Sequence, residues 1–297
     1  MPGNTIVQGS QPVEYVEEST FATAVSNPAM SWIGLVTSFD VSIVTEEEIV
    51  KYLPDDADGI DLQTLTAEDV SHMYEVSVTY HPQDLAFLKY FLGGSGSLSP
   101  SLTPIQFGQQ DKNNAEYNRI FGAVGESATL TIEEDSVAEI DCSFIAAATE
   151  DWTGTDYVGT GSHASADTAT PLKYDDLANV QWGGVALSDS LESLTVEISN
   201  SLEVVKDPDA GIDSHIDAIV PVDREITSEL GLTYSNMTMA EDVRSFTKQN
   251  LTFDFGPANE SWTVYNQAFP EFPYEFGPED LVADSVSSVP SDDLTFA

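Results

Sequence analysis

Two acidic loops carry the residue types that bind hard cations. Their carboxylates recur at alternating positions, a pattern typical of calcium-binding loops, whose oxygen ligands surround the ion. Neither loop supplies a Glu at its twelfth position, and in a chain with 51 acidic residues solvated acidic turns are an alternative interpretation. We therefore predict no metal and no cofactor, and retain as candidate cation ligands Asp207, Asp209 and Asp213 in one loop and Asp56, Asp58 and Asp61 in the other.

The other residues with chemical potential form no recognisable catalytic set. Gly159 and Gly161 belong to a loose dinucleotide fingerprint, but the sequence around them predicts neither the preceding strand nor the following helix that this motif needs. Cys142 alternates with Ile140 and Phe144, which predicts a buried structural thiol. The four histidines lack the spacing of a metal pair, and any two of 51 carboxylates resemble an acid–base pair. We therefore expect no enzyme.

The charge of the chain indicates the solvent for which it is built. Fifty-one acidic residues against nine basic ones give a formal net charge of −42. Such a surface repels itself in dilute buffer, whereas in molar salt the Debye length is about 3 Å and the repulsion is largely screened. We interpret the composition as an adaptation to high salt. It argues against gripping nucleic acid, since phosphate binding depends on Lys and Arg.

The beginning of the chain lacks the features of a secretory signal. It has no basic segment followed by an apolar core, and no run of 18 apolar residues occurs anywhere in the sequence. We therefore expect a protein made in the cytoplasm, with no membrane partner.

Alternating apolar and polar residues predict many short strands. The clearest alternation covers residues 74–80, and a second places Ile226, Leu230 and Leu232 on one face of a strand. Further strands are predicted over residues 32–44, 129–134, 138–148, 180–187, 191–206, 251–255 and 262–264.

One helix is predicted with clear boundaries. It begins at Pro82 and ends at Gly93, with a buried stripe of Leu85, Leu88 and Leu92. Short helices are also expected from Thr45 onwards and over residues 240–247, while residues 93–123 and 150–176 have the composition of long flexible loops.

These elements predict a mainly β protein, a β-sandwich or rolled barrel with one flanking α-helix and extended arms. Residues 1–30 form the expected N-terminal arm, residues 31–267 the β-sandwich domain, and residues 268–297 an acidic C-terminal arm.

The order of these segments resembles that of the major tail tube proteins of long-tailed phages and archaeal tailed viruses. The most specific piece is a Pro followed by Arg224-Glu-Ile-Thr227 and an alternating strand. The segments that carry the resemblance are VEESTFATAV (16–25), WIGLVTSFDVS (32–42), YEVSVTYHPQDLAFLKYFLG (74–93), WGGVALSDSLESLTVEISNSLEVVKD (182–207) and VPVDREITSELGLTYSN (220–236).

The resemblance implies a structural virion protein that forms hexameric rings. The rings would stack into a tail tube, with other tail proteins at its ends and viral DNA leaving through the lumen without specific binding. Residues 1–30, 93–123 and 268–297 would bridge successive rings, and assembly would take place in the cytoplasm of a salt-loving host. The alternatives are a capsid or decorating virion protein, and a halophilic carbohydrate-binding or glycosidase β-sandwich.

Overall fold

The structure is a computed structural model that describes most of the chain. The described residues are 12–46, 71–94, 99–165, 169–187, 190–206, 216–232, 245, 247–255, 260–268, 283–288 and 294–296.

Strands dominate the described residues. They are β1 (Val13–Glu17), β2 (Ser31–Trp32), β3 (Leu35–Glu46), β4 (Ser71–His81), β5 (Ile105–Asp111), β6 (Glu116–Glu133), β7 (Glu139–Ala146), β8 (Ala148–Thr149), β9 (Leu177–Trp182), β10 (Val185–Ala186), β11 (Leu191–Lys206), β12 (Ile216–Leu232), β13 (Gln249–Phe255), β14 (Glu260–Gln267), β15 (Ala283–Ser287) and β16 (Leu294–Phe296). Two 3-10 helices cover Ala86–Phe91 and Tyr174–Asp176.

The strands form two sheets, and every pairing between named strands is antiparallel. The larger sheet has eleven strands, and the smaller has five in the order β10-β9-β13-β14-β16. The long strand β6 joins the two arms of the larger sheet. Its first half pairs with β5 and β8, and its second half pairs with β7 on one edge and β11 on the other. From these neighbours the sheet continues to β2 through β1, to β3 through β4, and to β15 through β12.

A single main hydrophobic core holds the two sheets together. Apolar residues of the larger sheet, such as Val196 and Leu230, belong to the same buried cluster as Trp182, Phe253 and Trp262 of the smaller sheet. Alternation along β11 and β12 supplies this layer, because every second side chain of a strand points to the same face. The predicted mainly β sandwich is confirmed.

The predicted helix after β4 is present but is a 3-10 helix rather than an α-helix. It covers only Ala86–Phe91, although Leu85 and Leu88 are buried as expected. Phe87 contacts aromatic rings on several sides, including Phe107 and Phe144, so most of the segment is enclosed, and only Ala86 and Lys89 keep some exposure to water. A short, tight turn fits this enclosed position better than an amphipathic α-helix.

Two other sequence predictions are corrected by strands. Residues 105–111 and 116–123, expected to lie in a flexible loop, form β5 and the first half of β6. Thr45 and Glu46, expected to begin a helix, are the last two residues of β3, and the predicted helix from residue 47 onwards lies outside the described residues. The predicted helix over 240–247 also falls almost entirely outside them.

Parts of both predicted arms also pair inside the subunit. In the N-terminal segment, β1 lies between β5 and β2. In the C-terminal segment, β15 pairs with β12 and β16 pairs with β14. These strand residues therefore have backbone partners within their own chain.

The contact between the 3-10 helix and β6 gives a test of this packing. A Cβ added at Gly125 would lie 2.6 Å from the Phe91 ring, so Gly125→Ala should lower the free energy of unfolding by about 1–3 kcal/mol. Gly154→Ala is the matched control, because no heavy atom lies within 4 Å of its added Cβ. Urea unfolding in molar salt measures both, and equal stability of the two variants would contradict the close packing.

Candidate assembly surface

One broad face of the larger sheet is made of hydroxyl and carboxyl side chains. It is formed by β3, β4, β7, β6, β11 and β12, on the side opposite the hydrophobic core, and we call it the polar face. Its residues align in three cross-strand rows, and every member is at least partly exposed. The rows are Asp40, Ser77, Ser143, Ser127, Ser199 and Glu225; then Ser38, Thr79, Asp141, Thr129, Glu197 and Thr227; and then Glu139, Thr131, Thr195 and Glu229.

Within these rows no two carboxylates lie directly opposite each other. A Ser or Thr always stands next to each acid, and the Thr79 hydroxyl donates a hydrogen bond of 2.7 Å to Asp141. The hydroxyl oxygens of Ser127 and Ser143 lie 2.8 Å apart. Like charges directly opposed across strands destabilise a sheet, with cross-strand pairs worth roughly 0.2–1 kcal/mol each. The arrangement makes the face negative without placing this cost on neighbouring strands.

The rows of the polar face contain no Lys or Arg. Three of the described cations have partners elsewhere: Arg119 pairs with Glu150 at 2.6 Å, and the exposed Lys173 pairs with Asp175 at 3.1 Å. The third, Arg224, is half-buried and donates a hydrogen bond to Asn200. The polar face therefore has no positive charge in its rows with which to hold a phosphate.

Arg224 belongs to the segment that carries the most specific part of the resemblance. Its Nε donates to Asn200 Oδ1 at 2.5 Å, and burial lowers the pKa of its guanidinium. Asn200 in turn donates to the carbonyl oxygens of Phe91 at 3.2 Å and Gly125 at 2.9 Å. This network ties β12, β11 and β6 to the end of the 3-10 helix. The sequence showed an Arg in an alternating strand but gave no sign of this role.

A second buried network fixes part of the segment predicted as the loop 150–176. The buried Glu14 of β1 accepts hydrogen bonds from the Tyr157 hydroxyl at 2.5 Å and from the Ala164 amide at 2.6 Å. His163 Nδ1 lies 2.6 Å from the same carboxylate, and its Nε2 lies 3.2 Å from Asp156. The described residues from 150 to 165 contain no strand, as predicted, but this cluster docks them on the subunit.

The charges of this cluster favour a protonated histidine. Burial by itself lowers the pKa of His163, but the hydrogen bond and charge of Glu14, followed by those of Asp156, raise the pKa above its ordinary value. Burial, together with Glu14, also raises the pKa of Tyr157 and keeps its hydroxyl neutral. Several hydrogen-bond donors therefore surround one carboxylate in this cluster. Such an arrangement stabilises the fold and differs from a catalytic pair, in which a base activates a nucleophile.

Glu18 is a buried carboxyl that is only half satisfied. Its Oε1 accepts a hydrogen bond of 2.8 Å from the Gly122 amide, whereas its Oε2 is buried with no hydrogen-bond partner. Burial raises the pKa of Glu18 to about 7, against the opposing effect of the backbone donors. The side chain is thus close to its protonation midpoint at neutral pH.

The remaining sequence candidates do not form a site in the described residues. Both Asp-rich loops lie outside them, so their cation binding stays a prediction, and no group of metal ligands occurs in the described part of the chain. Cys142 is buried, as predicted, and burial raises the pKa of its thiol. Trp182 and Trp262 are each 1% exposed and belong to the core, so they cannot act as sugar-binding platforms.

No helix among the described residues is long and apolar enough to cross a membrane.

Comparison with known proteins identifies the class. The model of a family described as phage tail tube protein matches residues 12–288. No curated protein sequence matches the chain. Because the family model covers most of its length, the chain belongs to the phage tail tube protein family. It is therefore a structural component of a virion that assembles with other tail subunits, and the family is not one of enzymes.

The half-satisfied carboxyl of Glu18 predicts a pH dependence. Because its folded pKa is about 7 against an ordinary value of 4.5, its contribution to stability is fully present below pH 4.5 and is lost as the pH rises through 7. Glu18→Gln should therefore lose less stability than the natural protein between pH 5 and pH 8. Urea unfolding midpoints in molar salt measure this, with Glu17→Gln, at an exposed neighbour, as the control. A Glu18→Gln slope identical to that of Glu17→Gln would contradict the burial of the charge.

Proposed function

We propose that this chain is the subunit of a hexameric ring, and that the rings stack into a tail tube that conducts viral DNA out of the particle in high salt. The hexamer and the DNA conduit are implied by the resemblance to the tail tube family. Other tail proteins would meet the tube at its ends, and assembly would occur in the host cytoplasm.

The observation that carries this proposal is the polar face. A pore for DNA must hold water and must not trap phosphates, which means that its wall should lack Lys and Arg. The three rows of the polar face meet this requirement with hydroxyls and spaced carboxylates, on a continuous surface six strands wide. We assign this face to the lumen.

Unpaired strand edges support lateral association of the subunits. Among the described strands, β3 pairs only with β4 at one end of the strand order, and β15 pairs only with β12 at another end. Open edges invite pairing with another chain, and a closed ring removes that liability by letting each edge meet a neighbour. The sheets of adjacent subunits would then continue into one another around the lumen.

The net charge supports adaptation to high salt. A hexamer would multiply the formal charge of −42 by six, and rings of such charge can approach closely only when salt screens their repulsion. Nine basic residues can neutralise only a small part of the charge of 51 acidic ones, and Arg119 is already paired with Glu150.

A salt series tests the assembly. We expect the purified chain to form rings or tubes in molar salt and to lose them, or to unfold, at low salt. Negative-stain electron microscopy and sedimentation at each salt concentration provide the measurement. Dispersed monomers at every salt concentration would contradict the tube function, and tubes that persist in dilute buffer would contradict the salt adaptation.

Positive charge placed on the polar face tests its assignment to the lumen. Tubes of the double variant Thr129→Lys, Thr195→Lys should retain short duplex DNA at moderate salt, whereas natural tubes should not, because the two lysines supply phosphate contacts. Thr129→Gln, Thr195→Gln is the uncharged control. Tubes that form normally but retain no DNA after the Lys substitutions would contradict this assignment, and so would strong DNA retention by natural tubes.

A further inference from the structure

Most of the exposed apolar side chains lie at the two ends of the strands that form the polar face. Eight large hydrophobic residues are exposed in the described part of the chain, and none of them belongs to the rows of the polar face. Five lie towards one end of the strands: Val41, Ile43, Val205, Val220 and Val222. Leu35 and Val137 lie at the opposite end, where β3 begins and β6 turns into β7.

A two-stranded ribbon forms most of the first end. It consists of residues 201–206 of β11 and 216–223 of β12, which among the described strands pair only with each other. The pairing of β11 with β6 stops at Ser199, and that of β12 with β15 begins at Glu229. Two isolated strands are marginally stable in water, so this ribbon depends on what packs against its sides.

Within the described part of the chain, hydrophobic packing occurs on one side of the ribbon. Ile216 and Ile219 are 5% and 8% exposed, and they form a small cluster with Val124 and Ile145. The valines Val205, Val220 and Val222 are 39%, 43% and 61% exposed, and together they form what we call the free side of the ribbon. Burial of apolar surface on that side would be favourable and would fix the ribbon in place.

We propose that the free side of the ribbon packs against the Leu35 and Val137 end of a second copy of this chain, and that this apolar contact joins successive rings. The inference rests on the proposed tube. A second copy is the occupant because the chain belongs to a family whose members polymerise. With nine basic residues against 51 acidic ones, two copies of this chain have little opposite charge to offer each other, so we expect the contact between copies to rely on apolar surface.

The positions of the two surfaces explain why the contact repeats. Along β3, Leu35 pairs with His81 at one end of the strand, and Ile43 pairs with Tyr74 near the other end. Ile43 lies at the same end of the strands as the ribbon. The free side of the ribbon and the Leu35 and Val137 surface therefore lie at opposite ends of the strands. A contact between different surfaces leaves one of each free on the outer copies, which gives an open stack rather than a closed dimer. Because the contact between successive rings buries apolar surface, salts that strengthen the hydrophobic effect should favour it.

The first test adds charge to the free side. Val220→Glu, Val222→Glu should raise the concentration needed for tube formation in molar salt at least about tenfold, while single rings still form. The control is Trp152→Glu, which adds a negative charge at an exposed apolar residue outside both surfaces. Circular dichroism and thermal unfolding confirm that each variant folds.

The outcomes separate this inference from the proposed function. If the Val220→Glu, Val222→Glu variant forms tubes as readily as Trp152→Glu, the ribbon contact is wrong and the tube function stands. If the natural chain forms no tubes under any condition, the proposed function itself fails.

A cysteine pair tests the receiving surface directly. The only natural cysteine, Cys142, is buried, so Val222→Cys with Val137→Cys introduces the two accessible thiols. Mild oxidation of assembled tubes should give a ladder of covalent multimers on a denaturing gel. Each single variant should give no ladder beyond a dimer, and a double variant that behaves like the single ones would overturn the pairing of these two ends.

Discussion

Repulsion among carboxylates is the constraint under which every other contact in this subunit has to work. With a formal charge of −42, the chain cannot place its acids at random on a sheet, because opposed acids would push adjacent strands apart. The polar face avoids this by setting a hydroxyl beside each carboxylate along its rows. Burial of apolar residues on the opposite side of the same strands then supplies the cohesion that the surface charge opposes.

The strand β6 converts this layered arrangement into one body. It pairs along its length with β5, β8, β7 and β11, so the two arms of the larger sheet cannot separate without breaking one continuous strand. Two polar networks add hydrogen bonds to the backbone of β6. Arg224 and Asn200 attach the 3-10 helix to it, while Glu18 caps the backbone amide of Gly122 in its middle.

Sequence patterns predicted the elements whose two faces differ in polarity. The alternation around Ile226 and Leu230 was correctly assigned to a strand, because one face of β12 is apolar and the other polar. Strand β5 was missed because its buried positions include Gln106, whose amide oxygen accepts the Val25 N–H inside the fold. A glutamine that is buried because its amide bonds to a distant residue is predicted from sequence as part of a polar loop.

The buried network on β1 shows a second limit of sequence interpretation. Glu14 and His163 are 149 positions apart, and no local spacing links a carboxylate in a terminal segment to a histidine in a Gly-rich loop. The 3-10 helix shows a third limit. Its Leu stripe indicated helicity correctly, but the helix type depended on how closely Phe87 and Phe91 are enclosed, which only the packed structure defines.

The interrupted spacing of acids on the polar face has a mechanical consequence for the proposed conduit. If the sheets of neighbouring copies run on around the lumen, each row becomes a belt in which one to four neutral hydroxyls separate the carboxylates within each copy. DNA passing through the tube would then meet an electrostatic potential that varies little along its path, with no position that binds it strongly and none that repels it strongly. Friction during genome transit would be set by water trapped between two like-charged surfaces rather than by contacts that have to break.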